Sequence, residues 1–197
     1  MSPKQQRGAE TADRLLDTAL RVYADAGEQG VTVSALTKAS GVSLGSLYHH
    51  FGSIDGLMNA LLMRWLGRLL GELGAALLPA RTARGGVRAL TEAYLGFIKE
   101  HPDAARLMHS SRADQLGMAQ ARQLRDAQEA RLSPLTEWIR QHIESGEVAP
   151  LPDALIESLV LGPVIGVARS YLAGVGSIDL DEAARILPDR IWRSLAP

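Results

Sequence analysis

The residues TVSALTKASGVSLGSLYHHFGSIDGL, Thr32–Leu57, contain two short apolar segments separated by one glycine. Thr32 or Ser34 can cap a helix that ends at Gly41, and Ser43 can cap the helix that follows. A turn between two such helices needs a residue that tolerates positive φ, and glycine does so without strain. The pattern therefore predicts a helix-turn-helix, whose second helix can enter the major groove of DNA.

The spacing within this segment separates buried positions from exposed ones. Leu36, Val42 and Leu47 are placed to pack the two helices together. The other side chains of the second helix then face outward, where Leu44 can contact a thymine methyl group and Ser46 a base edge or phosphate. Hydroxyl, imidazole and backbone N–H groups suit phosphate oxygens. The predicted DNA-binding residues are Thr32, Lys38, Ser43, Leu44, Gly45, Ser46, Tyr48, His49 and His50.

This part of the chain, about residues 10–60, resembles the TetR family of transcriptional regulators. The resemblance implies an all-α fold with an N-terminal three-helix helix-turn-helix domain at residues 1–53. It also implies a larger helical domain at residues 54–197 that binds a ligand and dimerises. The matching residues are Leu15, Leu16, Ala19, Gly30 with Thr32, the turn Ala39–Ser43, and Leu47–Phe51 followed by Leu57.

The sequence departs from the family pattern at Ile54, where the family usually has a lysine that contacts phosphate. The first 55 residues hold five basic and six acidic side chains, and the whole chain holds 21 and 22. Because DNA-binding domains are usually basic, these features predict modest DNA affinity or additional contacts from Lys4 and Arg7.

The remaining sequence is helical in its periodicity, with no period-two alternation that would indicate strands. Glycine and proline divide it, with a loop expected at Pro79–Gly86 and a break at Gly117. Prolines inside helical segments, Pro134 among them, are expected to bend or split their helices. The predicted helices cover residues 10–26, 55–78, 87–100, 102–116, 118–145, 152–173 and 180–195.

Aromatic and polar residues on the body's helices have two interpretations. The simpler one is core packing, or pairing with acids for the charged residues. The resemblance implies a large ligand cavity, so polar groups such as His109, Arg112 and Arg169 are candidates to orient a small molecule. The predicted ligand-binding residues are Trp65, Leu69, Tyr94, Phe97, Met108, His109, Arg112, Trp138 and Arg169.

The last two helical segments predict an interface between two copies of the chain. Both carry apolar stripes, and Gly162 and Gly166 would allow close approach between helices. Two such helices from each copy can pack as a four-helix bundle with two-fold symmetry, although burial within one chain is the alternative. The predicted interface residues are Leu159, Gly162, Val164, Gly166, Leu187, Ile191 and Leu195.

Together these features predict a one-component transcriptional regulator, a repressor that a small apolar or amphipathic ligand releases from a palindromic operator. The alternative is a helical ligand-sensing or protein-interaction dimer with weakened or lost DNA binding. No catalytic constellation, cofactor or metal site is predicted: cysteine is absent, and adjacent histidines point about 100° apart on a helix. Without a signal peptide at Met1–Gln6, and with an apolar run at 159–168 too short for a bilayer, we expect a cytoplasmic protein with no membrane association.

Overall fold

The computed structural model describes the backbone of residues 3–197 and the side chains of residues 5–116, 118 and 126–197. Over this part of the chain the backbone forms α-helices joined by short connections, with no strand. This architecture is the all-α fold class that the sequence predicts. The helices are α1 (Pro3–Gly30), α2 (Val33–Ser40), α3 (Leu44–Phe51), α4 (Ile54–Leu77), α5 (Ala83–Glu100), α6 (Pro102–Met108), α7 (Ser111–Glu144), α8 (Asp153–Leu172) and α9 (Leu180–Trp192).

The chain divides into two compact units, which we call the head (Met1–Trp65) and the body (Leu66–Pro197). The division falls inside α4, so this helix contributes about three turns to the head and the remainder to the body. Arg64 ties these turns to the rest of the head, because its guanidinium forms ion pairs with Asp13 and Asp17 of α1. The predicted boundary between residues 53 and 54 lies at the start of the same helix.

Apolar side chains from each of its helices form the core of the head. Leu15 of α1, Leu36 of α2 and Leu47 of α3 are fully buried, and Val42 is buried between α2 and α3 in the sequence. Full burial of a leucine contributes roughly 1.5–3 kcal/mol, so a few such residues account for much of the stability of this small unit. The three positions predicted to pack α2 and α3 together are all buried.

The first helix is longer than the predicted segment over residues 10–26, because α1 begins at Pro3. Proline is well tolerated in the first turn, where its missing N–H would have no partner within the helix. Gly27 has φ 66° and ψ −172°, which interrupts the helical path at the residue predicted to end the helix.

The loop predicted over Pro79–Gly86 is shorter than expected, because α5 begins inside it. The Thr82 side chain caps this helix by accepting a hydrogen bond from the Gly85 N–H at 3.1 Å. Gly85 and Gly86, which are expected to break the helix, both lie in the first turn of α5. Gly86 has a packing role there, because the Trp138 indole fills the space that a Cβ would occupy.

The predicted break at Gly117 is wrong, since the α7 backbone is helical throughout Ser111–Glu144. The interruption lies earlier, where Ser110 caps α7 by accepting a hydrogen bond from the Ala113 N–H at 3.3 Å. A glycine in a helix interior costs only about 1 kcal/mol, and an available cap outweighs it here. The internal prolines Pro134, Pro163 and Pro188 lie inside α7, α8 and α9, each of which remains one helix.

Candidate functional sites

Side-chain caps define both helices of the helix-turn-helix. The Thr32 hydroxyl accepts a hydrogen bond from the Ala35 N–H at 3.2 Å and begins α2. The Ser43 hydroxyl accepts one from the Ser46 N–H at 3.2 Å and begins α3. Between them Gly41 has φ 69°, as the turn requires. The chain thus reverses between α2 and α3 without strain at any residue bearing a side chain.

The helix α3 has one buried side and one exposed side. Leu47 is fully buried, whereas Leu44 is 50% exposed and Tyr48 is 46% exposed. Exposed large apolar and aromatic groups on a short polar helix are typical of a recognition surface. Of the other predicted DNA-binding residues, Thr32, Lys38, Ser43, Gly45 and His49 are exposed, and Ser46 and His50 are half-buried.

The beginning of α1 passes beside the end of α3. A Cβ placed on Gly8 would lie 3.7 Å from Cε1 of His50, so the His50 imidazole lies against α1 there. Arg7, which precedes this contact, is exposed and can therefore reach a phosphate beside α3. The Lys4 side chain, the other predicted additional contact, lies outside the described residues.

The positive charge near the start of α4 is limited. Ile54 is half-buried and offers no hydrogen bond to phosphate. The N-terminus of α4 is capped by Ser53, whose hydroxyl accepts from the Gly56 N–H at 2.9 Å. Arg64, further along the helix, is engaged by the carboxylates of α1. Exposed Lys38 and Arg7 are therefore the cations best placed for a phosphate backbone.

In the body, three of the predicted ligand-binding residues come together at one polar cluster. The Tyr94 hydroxyl lies 3.2 Å from Nε2 of His109. Arg169 forms an ion pair with Asp114 of α7, and its charge acts on both Tyr94 and His109. Asp114 is not among the predicted residues, because a single acid in the first turn of a helix gives no signal beyond its favourable interaction with the helix dipole.

Burial keeps two members of this cluster uncharged. Burial raises the pKa of Tyr94 to about 12, partly opposed by the charge of Arg169. Burial, followed by the charge of Arg169, lowers the pKa of His109 to about 4, against the opposing effect of Asp114. Near neutral pH the cluster therefore contains one cation, one anion and two neutral groups that can form hydrogen bonds.

Two predicted ligand-binding aromatics take part in packing elsewhere in the body. The Trp138 indole donates a hydrogen bond to the Ala80 carbonyl at 3.3 Å and its ring centroid lies 4.1 Å from that of His142. Phe97 is buried with its ring centroid 4.9 Å from that of His101. Leu69 is buried, Met108 and Arg112 are half-buried, and Trp65 belongs to the head.

An open groove of about 300 Å³ lies at another place on the body. It contains none of the predicted ligand-binding residues. Its lining residues are Lys99, Tyr171, Ile178, Asp179, Leu180 and Asp181.

The helix α8 is apolar on more than one side. Its inner face carries Ile156, Val160, Val164 and Ala168, which are buried within the body. A second face carries Leu155, Leu159, Gly162 and Gly166, of which Leu155 is 45% exposed, both glycines are exposed and Leu159 is half-buried. By length and composition this helix is apolar enough to cross a membrane, and only 22% of its most apolar stretch is buried within the chain.

The predicted dimer-interface residues divide between these environments. Val164, Ile191 and Leu195 are buried within the body of a single copy, and their assignment to a surface between copies stays a prediction. Their stripes face inward because α8 and α9 pack against each other and against α5. Leu159 and Leu187 are half-buried, while Gly162 and Gly166 are exposed. Of the predicted interface residues, Leu159, Gly162, Gly166 and Leu187 therefore have surface that a partner can contact.

Among the residues that the structure describes, no group of three or more His, Asp or Glu side chains could hold a metal ion. His49 and His50 lie with ring centroids 5.3 Å apart in an edge-on arrangement.

Comparisons with known proteins identify the N-terminal segment. Residues 15–61 match the sequence model of the family described as bacterial regulatory proteins, tetR family. The chain is 41% identical over 76 residues to the HTH-type transcriptional regulator BetI of Rhizobium meliloti (strain 1021), covering 39% of this chain and 37% of BetI. It is 32% identical over 92 residues to the HTH-type transcriptional repressor KstR2 of Rhodococcus jostii (strain RHA1), covering 46% and 45%. These matches span less than half the length of either relative.

The fold extends the similarity to the whole chain. The crystal structure of a TetR-family transcriptional regulator from Pectobacterium atrosepticum superimposes with a TM-score of 0.73. It is 26% identical in sequence, and the match covers 100% of this chain and 98% of that one. The N-terminal segment thus matches the tetR family of bacterial regulatory proteins, and the whole chain has the fold of a TetR-family regulator.

Proposed function

We propose that the protein is a ligand-responsive transcriptional repressor that binds operator DNA as a homodimer in the cytoplasm. The exposed face of α3, with Leu44 and Tyr48 half exposed beside buried Leu47, is the observation that carries this proposal. It lies inside the segment that matches the family. The relatives named above are regulators and a repressor, which supports regulation in preference to catalysis.

The contacts with DNA follow from the side chains on this face. Leu44 contacts a thymine methyl group, and the Ser46 hydroxyl reaches a base edge or phosphate. Tyr48 and His49 donate hydrogen bonds to phosphates on one side of the groove, and Lys38 supplies a charge. Because most of these donors are neutral, the affinity depends less on salt than it does for a strongly basic domain.

The dimer is supported by the second apolar face of α8. Leu155, Leu159, Gly162 and Gly166 recur at the spacing of one side of a helix, and the glycines leave room for a helix from another copy. Two-fold packing of this face brings two recognition helices to one duplex, with half-sites about one helical turn apart.

Ligand binding in the body shifts the equilibrium away from the DNA-binding state. The polar cluster of Tyr94, His109 and Arg169 is the part of the body best suited to orient a small molecule. A coupling free energy of about 1–3 kcal/mol between ligand and DNA would change the operator affinity roughly 5–150-fold.

The first test measures fluorescence anisotropy of duplex DNA taken from the intergenic region upstream of the gene. Tyr48→Ala should lower the affinity about tenfold, because it removes a hydrogen bond to a charged phosphate, while the circular dichroism spectrum stays unchanged. Tyr171→Ala is the matched control, since Tyr171 is a comparably exposed tyrosine in the body. Equal affinity of Tyr48→Ala and the native protein would contradict the assignment of α3.

A gain-of-function variant tests the same surface from the other direction. Ile54→Lys restores the cation that the family usually has at this position, and it should tighten binding and steepen the salt dependence by about one unit. Ala75→Lys adds the same charge roughly 30 Å along α4 and should change neither quantity. No binding by native protein or Ile54→Lys at low salt would favour the alternative, a ligand-sensing or protein-interaction dimer.

The proposed dimer is tested at Gly162. A Cβ at this position meets no atom of the same chain within 4 Å, so Gly162→Glu fits a single copy but obstructs a partner helix. Sedimentation equilibrium should show a monomer for this variant and a dimer for Gly71→Glu, a matched exposed glycine on α4. A dimer in both would place the interface elsewhere.

A further inference from the structure

The polar cluster in the body joins four separate segments. Tyr94 lies on α5, His109 follows α6, Asp114 lies in the first turn of α7 and Arg169 lies in the last turn of α8. No two of them are neighbours in sequence. Polar groups from distant segments are brought together at a cost in desolvation, so their meeting at one point suggests a site that recognises something.

The neutral pair and the ion pair differ in exposure. Tyr94 is almost fully buried, whereas the Arg169 and Asp114 side chains are 48% and 46% exposed. The guanidinium therefore lies at the surface of the cluster, accessible to a molecule arriving from solvent. The hydroxyl and imidazole, 3.2 Å apart, feel the charge of the guanidinium and can form hydrogen bonds without adding charge.

The pair between Arg169 and Asp114 can be exchanged at little cost. An ion pair between half-exposed side chains contributes only about 0–1 kcal/mol, and released Asp114 would be hydrated by water. Arg169, by contrast, is favoured where it is because a cation in the last turn of a helix interacts well with the helix dipole. The guanidinium is thus a favourably placed binding group whose present carboxylate partner is replaceable.

We propose that Arg169 binds the carboxylate of an organic acid, and that Asp114 occupies this position on the guanidinium when the ligand is absent. This inference rests on the proposed function and specifies the ligand class of its sensory site. The planar fork of arginine matches a carboxylate through two parallel hydrogen bonds. Tyr94 and His109 contact the atoms next to the carboxylate, and the remainder of the ligand is uncharged.

Exchange of the carboxylate changes the body itself. When the ligand takes the guanidinium, Asp114 separates from Arg169 and the first turn of α7 loses its ion pair with α8. Binding and loosening of this helix end are therefore coupled, and removing the Asp114 charge should favour the ligand-bound arrangement.

The experiment is isothermal titration of the full-length protein with two acids, each compared with its own alcohol. Decanoate is paired with decanol, and phenylacetate with phenylethanol, so that one member of each pair lacks the charge. The native protein should bind at least one acid, and should bind it several-fold more tightly than the matching alcohol. Equal binding of acid and alcohol, or binding of neither acid, would overturn the proposal.

Three variants locate the effect. Arg169→Gln should reduce acid affinity several-fold, as expected for loss of a half-exposed ion pair, and leave any alcohol binding unchanged. Asp114→Asn should bind the acid several-fold more tightly, because the competing carboxylate is gone. Arg106→Gln is the matched control, since Arg106 forms a similarly exposed ion pair with Asp103, and it should bind as the native protein does. Weaker acid binding by Asp114→Asn would contradict the competition.

Circular dichroism and thermal melting establish that each variant is folded. If Arg169→Gln were unfolded, Arg169→Lys provides a second measurement: it keeps the charge but loses the fork, and should give an intermediate affinity. DNA is absent from these titrations. Failure of operator binding in the anisotropy assay would reject the repressor, whereas failure here with intact operator binding would reject only the acid as ligand.

Discussion

The helix-turn-helix of the head and the body are stabilised by contacts of different range. In the head, the hydroxyl caps that begin α2 and α3 join atoms three residues apart in the sequence. In the body, Trp138 bonds Ala80 across 58 residues, Glu147 bonds Ala83 across 64, and Arg169 bonds Asp114 across 55. The helix-turn-helix is thus shaped by local chemistry, whereas the body depends on pairings between distant segments. Substitutions in the two units should therefore differ in what they disturb.

The largest effect is expected from truncating a buried side chain in the core of the head. Leu47→Ala removes a fully buried side chain and should destabilise the head by about 2–5 kcal/mol. Hydrogen exchange should show loss of protection in α2 and α3, with the amides of α5 unchanged. Leu44→Ala, on the exposed side of the same helix, should leave protection intact and weaken DNA binding. Equal protection in the two variants would mean that α3 does not depend on its buried face.

The second effect tests the long-range packing of the body. In Gly86→Ala the new Cβ would meet the Trp138 ring at 2.2 Å, and the overpacking should cost about 3 kcal/mol. Gly96→Ala, on the same helix but with no atom within 4 Å of its Cβ, should instead stabilise by about 0.5–1 kcal/mol. Urea denaturation measures both. A similar free energy of unfolding for the two variants would indicate that the indole moves away freely.

The third effect is a pH dependence of the body. Because burial and Arg169 lower the pKa of His109 from 6.5 to about 4, the unfolded chain binds more protons than the folded chain between these values. Stability should therefore fall as the pH falls through this window, by about 2 kcal/mol between pH 7 and pH 5. Denaturation at pH 7 and pH 5 measures the loss of unfolding free energy. The loss should be smaller in His109→Gln than in the native protein, and unchanged in His49→Gln, whose imidazole is exposed.

The smallest effect compares equivalent caps in the two units. Ser43→Ala removes the cap of α3 and Thr82→Ala removes the cap of α5. Each should lower the free energy of unfolding by about 1 kcal/mol. Ser43→Ala should also weaken DNA binding, because α3 carries the recognition surface, whereas Thr82→Ala should not. Normal DNA binding by Ser43→Ala would contradict this expectation, because α3 would then bind the duplex without its cap.

The same difference in range explains which features could be predicted from the sequence. Thr32, Ser43 and Gly41 act where their residue types indicate, because a cap or a positive-φ turn is decided by the residues beside it. The predicted start of α5 at residue 87 is too late, because Gly86 suggests a loop when the sequence is read locally. Its place inside the helix becomes clear only from its packing against Trp138, which lies 52 positions later in the sequence. The inward orientation of Val164 and Ile191 was missed for the same reason: an apolar stripe does not reveal which neighbour covers it. Likewise, no residue beside Asp114 indicates that its carboxylate pairs with Arg169, 55 positions later.

The second apolar face of α8 would, in the proposed dimer, make the response depend on the abundance of the protein. A single copy carries one α3, so in that proposal firm occupancy of a two-part operator requires that copies first associate through this face. Below the dissociation constant of the proposed dimer, occupancy would rise with the square of the protein concentration. Dilution during growth would then relieve repression sharply, and modest synthesis would restore it. The exposed glycines of α8 would thereby set a concentration threshold.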